Sequence, residues 1–498
     1  IADHPSHVGG TIAGNGFVNG NYRGMATQTN LISYEWWDTS VERDNEYSNA
    51  IANYKIDLST NSWGYGQSFG EYDANSRALD GIVRGAIGKL IPIVWAAGNE
   101  RNNVPPKELC GSGQYDCIIK PGTAKNVITV GAINTNDESM TIFSSWGPTD
   151  DGRIKPDVVA GGCQIGGDNG INSTVPNLFI DIEDPKDIDG DGITDEPDGK
   201  DDHLYPYSVM CGTSMATPAV AGGITLIFQD LQNAGKARFL PSTLKAVLIH
   251  TAKDLGNVGP DYSFGYGKAD FKKAIDLIRS DASTNDVIRE SQISNNEIFD
   301  YSIDVQPGQS ELKVTIVWDD KEGTSSANKA LINNIDLELI DPFKRVALPY
   351  VLDPINPSIP AKIGIDSLNN IEQVRFSNPI SGTWTIRIKG TSIPYAPQIY
   401  SLVSSNSITT IGNPAPRFPI ADINGPYNAN EGSTVMLDAT KSYDSVKYEY
   451  DVNGDGFYDF TSFFPTLDWI YMDNFVGKVG LRVTNDIDFT STDTADIT

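Results

Sequence analysis

The chain has 498 residues, too many for one ordinary core, so two to four domains are expected. Its 65 Asp and Glu against 37 Lys and Arg give a net charge of −28, which argues against nucleic acid or anionic lipid as a partner. No run of eighteen apolar residues occurs, so no membrane-spanning helix is expected.

Two histidines, His4 and His7, open the chain in DHPSHVGGTIAGNG, a small-residue stretch that reads as a helix. By themselves they read as structural side chains, or as a metal pair lacking a third ligand motif. EYSNAIANY and NSRALDGIVRGAIG carry helical periodicity, whereas LIPIVWAAG and ITVGAI read as buried strands. VWAAGNE ends its strand at Gly98 and Asn99. The Asn99 amide then either points out from the sheet edge, where ligands bind in open α/β folds, or serves a turn. The four cysteines are too irregular for zinc but fit two disulfides, Cys110 with Cys117 around a small loop and Cys163 with Cys211 around a long one. Pairing implies an oxidising compartment, and with it a secreted or extracellular location. The chain opens on Ile1 with no signal peptide, which reads as a mature piece or a fragment lacking its start.

Between Cys163 and Cys211 lies DIDGDGITDEPD, residues 187–198. It sets Asp187, Asp189, Asp191, Asp195 and Asp198 at loop positions 1, 3, 5, 9 and 12, with Gly192 at the sharp turn and the Ile193 carbonyl at position 7. Calcium takes its oxygens in that order, so calcium is the expected cofactor, although no helices flank the loop. A second run, DVNGDGFYD, offers Asp451, Asn453, Asp455 and Asp459 more weakly, with a hairpin turn as an even alternative.

GTSMATP (212–218) follows a Gly/Asp/Pro-rich loop and precedes AVAGGITLIFQDLQ, apolar at helical spacing. Ser214 therefore sits in the first turn of a helix, among backbone N–H groups that lack intrahelical partners. It is either an N-cap or a nucleophile whose oxyanion those groups would hold. STLKAVLIHTAK reads as another helix, after which helices stop near residue 283. FDYSIDV, ELKVTIVW, NIDLELI, EQVRFS and TWTIRIKG then alternate apolar and polar, as antiparallel sandwich strands do. A Pro-rich joint, GNPAPRFP (412–419), leads to a last unit with STVMLDAT, VKYEYDV and KVGLRVT. The fold class is thus α/β with a doubly wound, mostly parallel sheet, followed by two all-β sandwiches.

HPSHVGGTIAG, NSWG, AAGNE and GTSMATP, in that order, resemble the histidine, substrate-strand, oxyanion and serine motifs of the subtilisin-like serine proteases. FSSWGPTDDGRIKPDVVAGG and GPDYSFGYGKAD resemble segments around that family's core. The resemblance implies Ser214 as nucleophile, His4 as its general base and Asn99 as oxyanion donor. His7 would pack structurally, and Ser62, Trp63, Gly64, Ala97 and Gly98 would bind substrate. Family order is Asp, His, Ser, so the orienting aspartate is expected before Ile1; Asp3 adjoins His4 too closely, and Asp38 and Asp44 follow it. The domain reading is 1–283 catalytic, 284–411 similar to a jelly-roll sandwich, and 418–498 similar to a polycystic-kidney-disease (PKD) sandwich. A secreted endopeptidase acting on protein or peptide is implied, with broad specificity from an apolar cleft and a weak pull toward basic side chains from Glu100. The β modules could add a polymer or cell-surface ligand. The alternative is a noncatalytic binding or scaffold protein on the same core, suggested by the missing aspartate.

Overall fold

The computed structural model describes residues 3–17, 19–66, 68–102, 110, 114–165, 170–176, 207–234, 239–283, 286–411, 419–428, 430–442, 445–473, 475–485 and 490–498. The histidine stretch forms α1 (Asp3–Ala13). Helix α2 (Ser40–Ala52) starts where Thr39 Oγ1 accepts the Glu42 N–H, and α3 (Ala74–Val83) where Asp73 accepts that of Ser76. Both are N-caps, which satisfy donors that a helix start leaves open. Strands β1 (Ser59–Asn61), β2 (Ile93–Ala96), β3 (Ile128–Asn134) and β4 (Val158–Cys163) pair in parallel in that order.

Alternation along β2 explains why the sheet is covered on both sides. Ile93 and Trp95 join Leu79, Ile82 and Val83 of α3 and Tyr47 and Ile51 of α2. Val94 points the other way, into a larger core with α4 (Thr213–Asn233), α5 (Pro241–Thr251) and α6 (Phe271–Ser283). The doubly wound parallel reading is what the structure contains. A two-stranded antiparallel ribbon, β5 (Ile171–Thr174) and β6 (Tyr207–Met210), packs on α1.

Among the described residues every element after α6 is a strand. One four-stranded sheet contains β7 (Ile288–Ile293) and a second, five-stranded one contains β8 (Ile298–Val305); β9 (Glu311–Val317) belongs to the first and β10 (Asn334–Ile340) to the second. Their facing sides share a core that includes Trp318, Leu337, Trp384 and Tyr400. Residues 423–497 build a separate core around Leu437, Tyr450, Leu481 and Ile497.

Both cysteine pairs are disulfide-bonded, Cys110 to Cys117 and Cys163 to Cys211. The second joins the end of β4 to the residue before Gly212, so the start of α4 is tied covalently to the sheet. The Gly212 N–H donates to the Gly162 carbonyl at 3.0 Å beside it.

Candidate active site

Ser214 is the second residue of α4, at the end of the helix where N–H groups lack partners. Pro218 lies inside that helix and has no N–H, so the Ser214 carbonyl four residues earlier is left without its helical donor. Ser62 supplies one: its Oγ donates to the Ser214 carbonyl at 2.9 Å. In return Ser214 Oγ donates to the Ser62 carbonyl at 3.1 Å. The proline of GTSMATP thus frees an acceptor that ties the turn carrying Ser214 to the chain leaving β1.

Asn99 is held as firmly. Its Oδ1 accepts the Thr213 N–H at 2.8 Å and the Thr213 hydroxyl at 3.0 Å. That hydroxyl in turn accepts the Gly98 N–H at 3.2 Å. The Thr213 N–H can only donate, so the amide cannot be flipped without losing that bond, and Nδ2 is the other end. Asn99 and Ser214 line one cleft of about 180 Å³ together with Ser62, Trp63, Gly64, Gly98 and Glu100. Thr213 is the residue that sequence reasoning missed. Its place beside the serine in GTSMATP was the available signal.

Ala97, expected in this cleft, lies beneath it and is fully buried; Ala96 lines it instead. The chain turns at Gly98 (φ +109°), and Ala97 is held in the sheet by its N–H to the Val130 carbonyl at 2.9 Å.

The two histidines part company. His7 is buried, with Nε2 2.9 Å from the Ile171 carbonyl and 3.1 Å from that of Ser208, so it pins α1 to both strands of the β5–β6 ribbon. His4 is exposed one turn earlier. Partial desolvation holds the His4 imidazole below its usual pKa, which favours the neutral ring that can accept a proton. Helix α1 packs directly against α4. No hydrogen bond joins His4 to Ser214 or to a carboxylate among the described residues; Asp44 is engaged by Arg43 at 2.7 Å.

The loop 187–198, with Asp187, Asp189, Asp191, Ile193, Asp195 and Asp198, lies outside the described residues. The 451–459 run is described, and each of its four side chains accepts at least one backbone N–H. Asp451 accepts from Gly454 at 2.7 Å and Gly456 at 2.8 Å, Asn453 from Asp455, Asp455 from Phe457, and Asp459 from Val452. These bonds build a turn. No group of three or more His, Cys, Asp or Glu placed to hold a metal exists among the described residues.

A parallel sheet, a serine at a helix start and an asparagine lining the same cleft define a subtilisin-like α/β core, and the comparisons agree. Residues 1–267 match the model of the subtilase family (Peptidase_S8). The chain belongs to that family of serine proteases. It is 30% identical over 247 residues to the serine protease AprX of Bacillus subtilis, covering 46% of this chain and 48% of AprX. It is 27% identical over 340 residues to the serine protease/ABC transporter B family protein tagA of Dictyostelium discoideum, covering 61% of this chain and 18% of tagA. The chain thus spans less than half the length of either relative. Among solved structures, fervidolysin from Fervidobacterium pennivorans, titled a keratinolytic enzyme related to subtilisin, aligns with 97% of this chain and 62% of its own at 17% identity and a TM-score of 0.38. Among the described residues no helix is long and apolar enough to cross a membrane.

Proposed function

We propose that this protein is a secreted endopeptidase that cleaves peptide bonds through an acyl-enzyme. Ser214 Oγ attacks the carbonyl carbon and passes its proton to His4, and the oxyanion is held by Asn99 Nδ2 and the Ser214 N–H. The observation that carries this reading is the anchoring of Asn99 Oδ1 by Thr213 in the cleft that Ser214 also lines, with Nδ2 left as the donor end of the amide. An amide fixed before the reaction stabilises developing charge without reorganising. In the test, Asn99→Ala in the full-length protein should lower kcat by roughly 10²–10³ with KM little changed, a magnitude borrowed from this family's own asparagine. An unchanged kcat would remove Asn99 from the site.

The two disulfides support secretion. The β regions are read as a jelly-roll module and a PKD-like module, the latter available for a polymer or cell-surface ligand. Calcium at 187–198 rests on the spacing of its five aspartates. A calorimetric titration with Ca²⁺ that shows no heat beyond dilution would dismiss it.

A further inference from the structure

The cleft beside Ser214 has two backbone walls, residues 63–66 leaving β1 and residues 96–100 leaving β2. A carbonyl placed between Ser214 Oγ and Asn99 Nδ2 has its side chain on the adjoining Cα, within reach of the recess between these walls. Ile119 occupies the base of that recess. A Cβ placed on Gly64 would lie 2.2 Å from Ile119 Cδ1, and one on Gly98 would lie 2.5 Å from Ile119 Cγ2. The isoleucine therefore touches both walls at once, each at a glycine that leaves room for it.

The backbone holds it there. The Ile119 N–H donates to the Ala97 carbonyl at 3.0 Å, and the Tyr65 N–H donates to the Lys120 carbonyl at 3.1 Å. Residues 119–120 thus cross the end of the cleft and are strapped to one wall by the first bond and to the other by the second. Ile119 is 9% exposed and that remnant faces the cleft. Branching at Cβ leaves its side chain few rotamers in which to withdraw. The nearby cation, Lys120, is paired with Glu71 at 2.8 Å, so the recess ends in a hydrocarbon floor, while the carboxylate of the cleft, Glu100, belongs to the wall that leaves β2.

We propose that Ile119 is the specificity-determining residue of this cleft, closing it to large side chains so that peptides with a small uncharged residue, such as Ala or Ser, are cleaved on the carboxyl side of that residue. The proposal rests on the peptidase reading and narrows the broad preference expected from sequence. A leucine, phenylalanine or lysine side chain would have to occupy space that Ile119 fills, and a packed interior resists added methylenes. A mismatch of this kind in an apolar pocket is worth roughly 10- to 200-fold in discrimination.

The test separates binding from chemistry. Full-length protein carrying Ser214→Ala is titrated by calorimetry with acetylated peptides that differ only at the residue before the cleavage point: Ala, Ser, Leu, Phe or Lys. Native protein is assayed for hydrolysis of the same series. Ala and Ser peptides should bind, and be cleaved, at least about 10-fold better than Leu, Phe and Lys peptides. Ile119→Gly should raise Phe binding relative to Ala binding by about 10-fold or more, and Ile119→Ala, the milder cavity, should move Leu the same way. Equal binding of Ala and Phe by the native pocket, no binding of any peptide, or an unchanged Ala-to-Phe ratio in a folded Ile119 variant would overturn the proposal. Size-selective binding with no hydrolysis by native protein would leave the floor standing and sink the peptidase reading; hydrolysis that favours large residues would do the reverse.

Discussion

Residues 286–411 meet the α/β unit through buried charge and a shared core, whereas residues 419–498 meet it through charges left near water. In the first joint Lys125, fully buried, donates to Asp320 at 2.6 Å and to the Ala330 carbonyl at 2.8 Å, with Asp80 a further carboxylate at 3.8 Å. Asn126 exchanges hydrogen bonds with the Asp320 backbone in both directions. Val287, Ile288, Val317, Ile371 and Val403 join the same apolar cluster as α4, α5 and α6. In the second joint Lys55 meets Asp496 at 2.8 Å with about a third of each side chain exposed, and the apolar cluster of 423–497 is self-contained. The contrast teaches that two successive β regions with similar strand patterns play different physical parts. One completes the interior of the α/β unit, and the other is an attached unit.

The sharpest way to break this contrast is Lys125→Ala. It strands Asp320 in a dry interior, which typically costs about 3–5 kcal/mol. Urea unfolding should show one transition with its midpoint strongly lowered, because the two regions share a core. A variant as stable as the parent would make the buried joint incidental.

The next effect is a pH dependence confined to the first joint. Glu290 of β7 accepts the Leu240 N–H at 3.0 Å and the Thr243 hydroxyl, so it caps the first turn of α5 from across the joint. Burial pushes its carboxyl up to about 7 from 4.5, against the pull of those donors and with Asp281 and Asp319 adding repulsion. Asp319, which accepts the Ser242 N–H at 3.0 Å, is likewise raised by burial to about 6. A raised acid binds its proton more tightly when folded. Its contribution is therefore complete below pH 4.5 and is lost as pH rises toward 7, on the order of 3 kcal/mol for Glu290 at one pKa unit per 1.36 kcal/mol. Glu290→Gln should flatten the fall in Tm across that window and raise Tm at pH 8. A Tm profile parallel to the parent's would remove Glu290 from the account.

Smallest is Lys55→Ala. A half-exposed ion pair of this kind is worth about 0–1 kcal/mol, and salt screens it further. The main unfolding midpoint should stay within error of the parent's. A loss comparable to that of Lys125→Ala would mean that the last region is also part of the core.

Much of the site was legible in the sequence because it depends on local pattern. A loop running into apolar helical spacing places Ser214 in a first turn, and a buried strand ending in Gly-Asn places Asn99 at the sheet edge. The strand alternation after residue 283 likewise foretold antiparallel sheets. The rest depends on partners far away in the chain. Thr213 and Asn99 are 114 residues apart, so GTSMATP marks Thr213 by its place beside the serine but does not name its partner. His4 and His7 look alike in DHPSHVGG, yet only the fold brings the Ile171 and Ser208 carbonyls to one of them.

By itself, then, the sequence determined the period of each element, its caps and breakers, and the chemistry offered at strand and helix ends, because those follow from forces between near neighbours. The tertiary structure alone decided which buried charge meets which, and that Ile119, one apolar residue in DCIIKPG, stands between two glycine walls. Such contacts arise when distant segments share one core, where packing and desolvation act on whatever has been brought together.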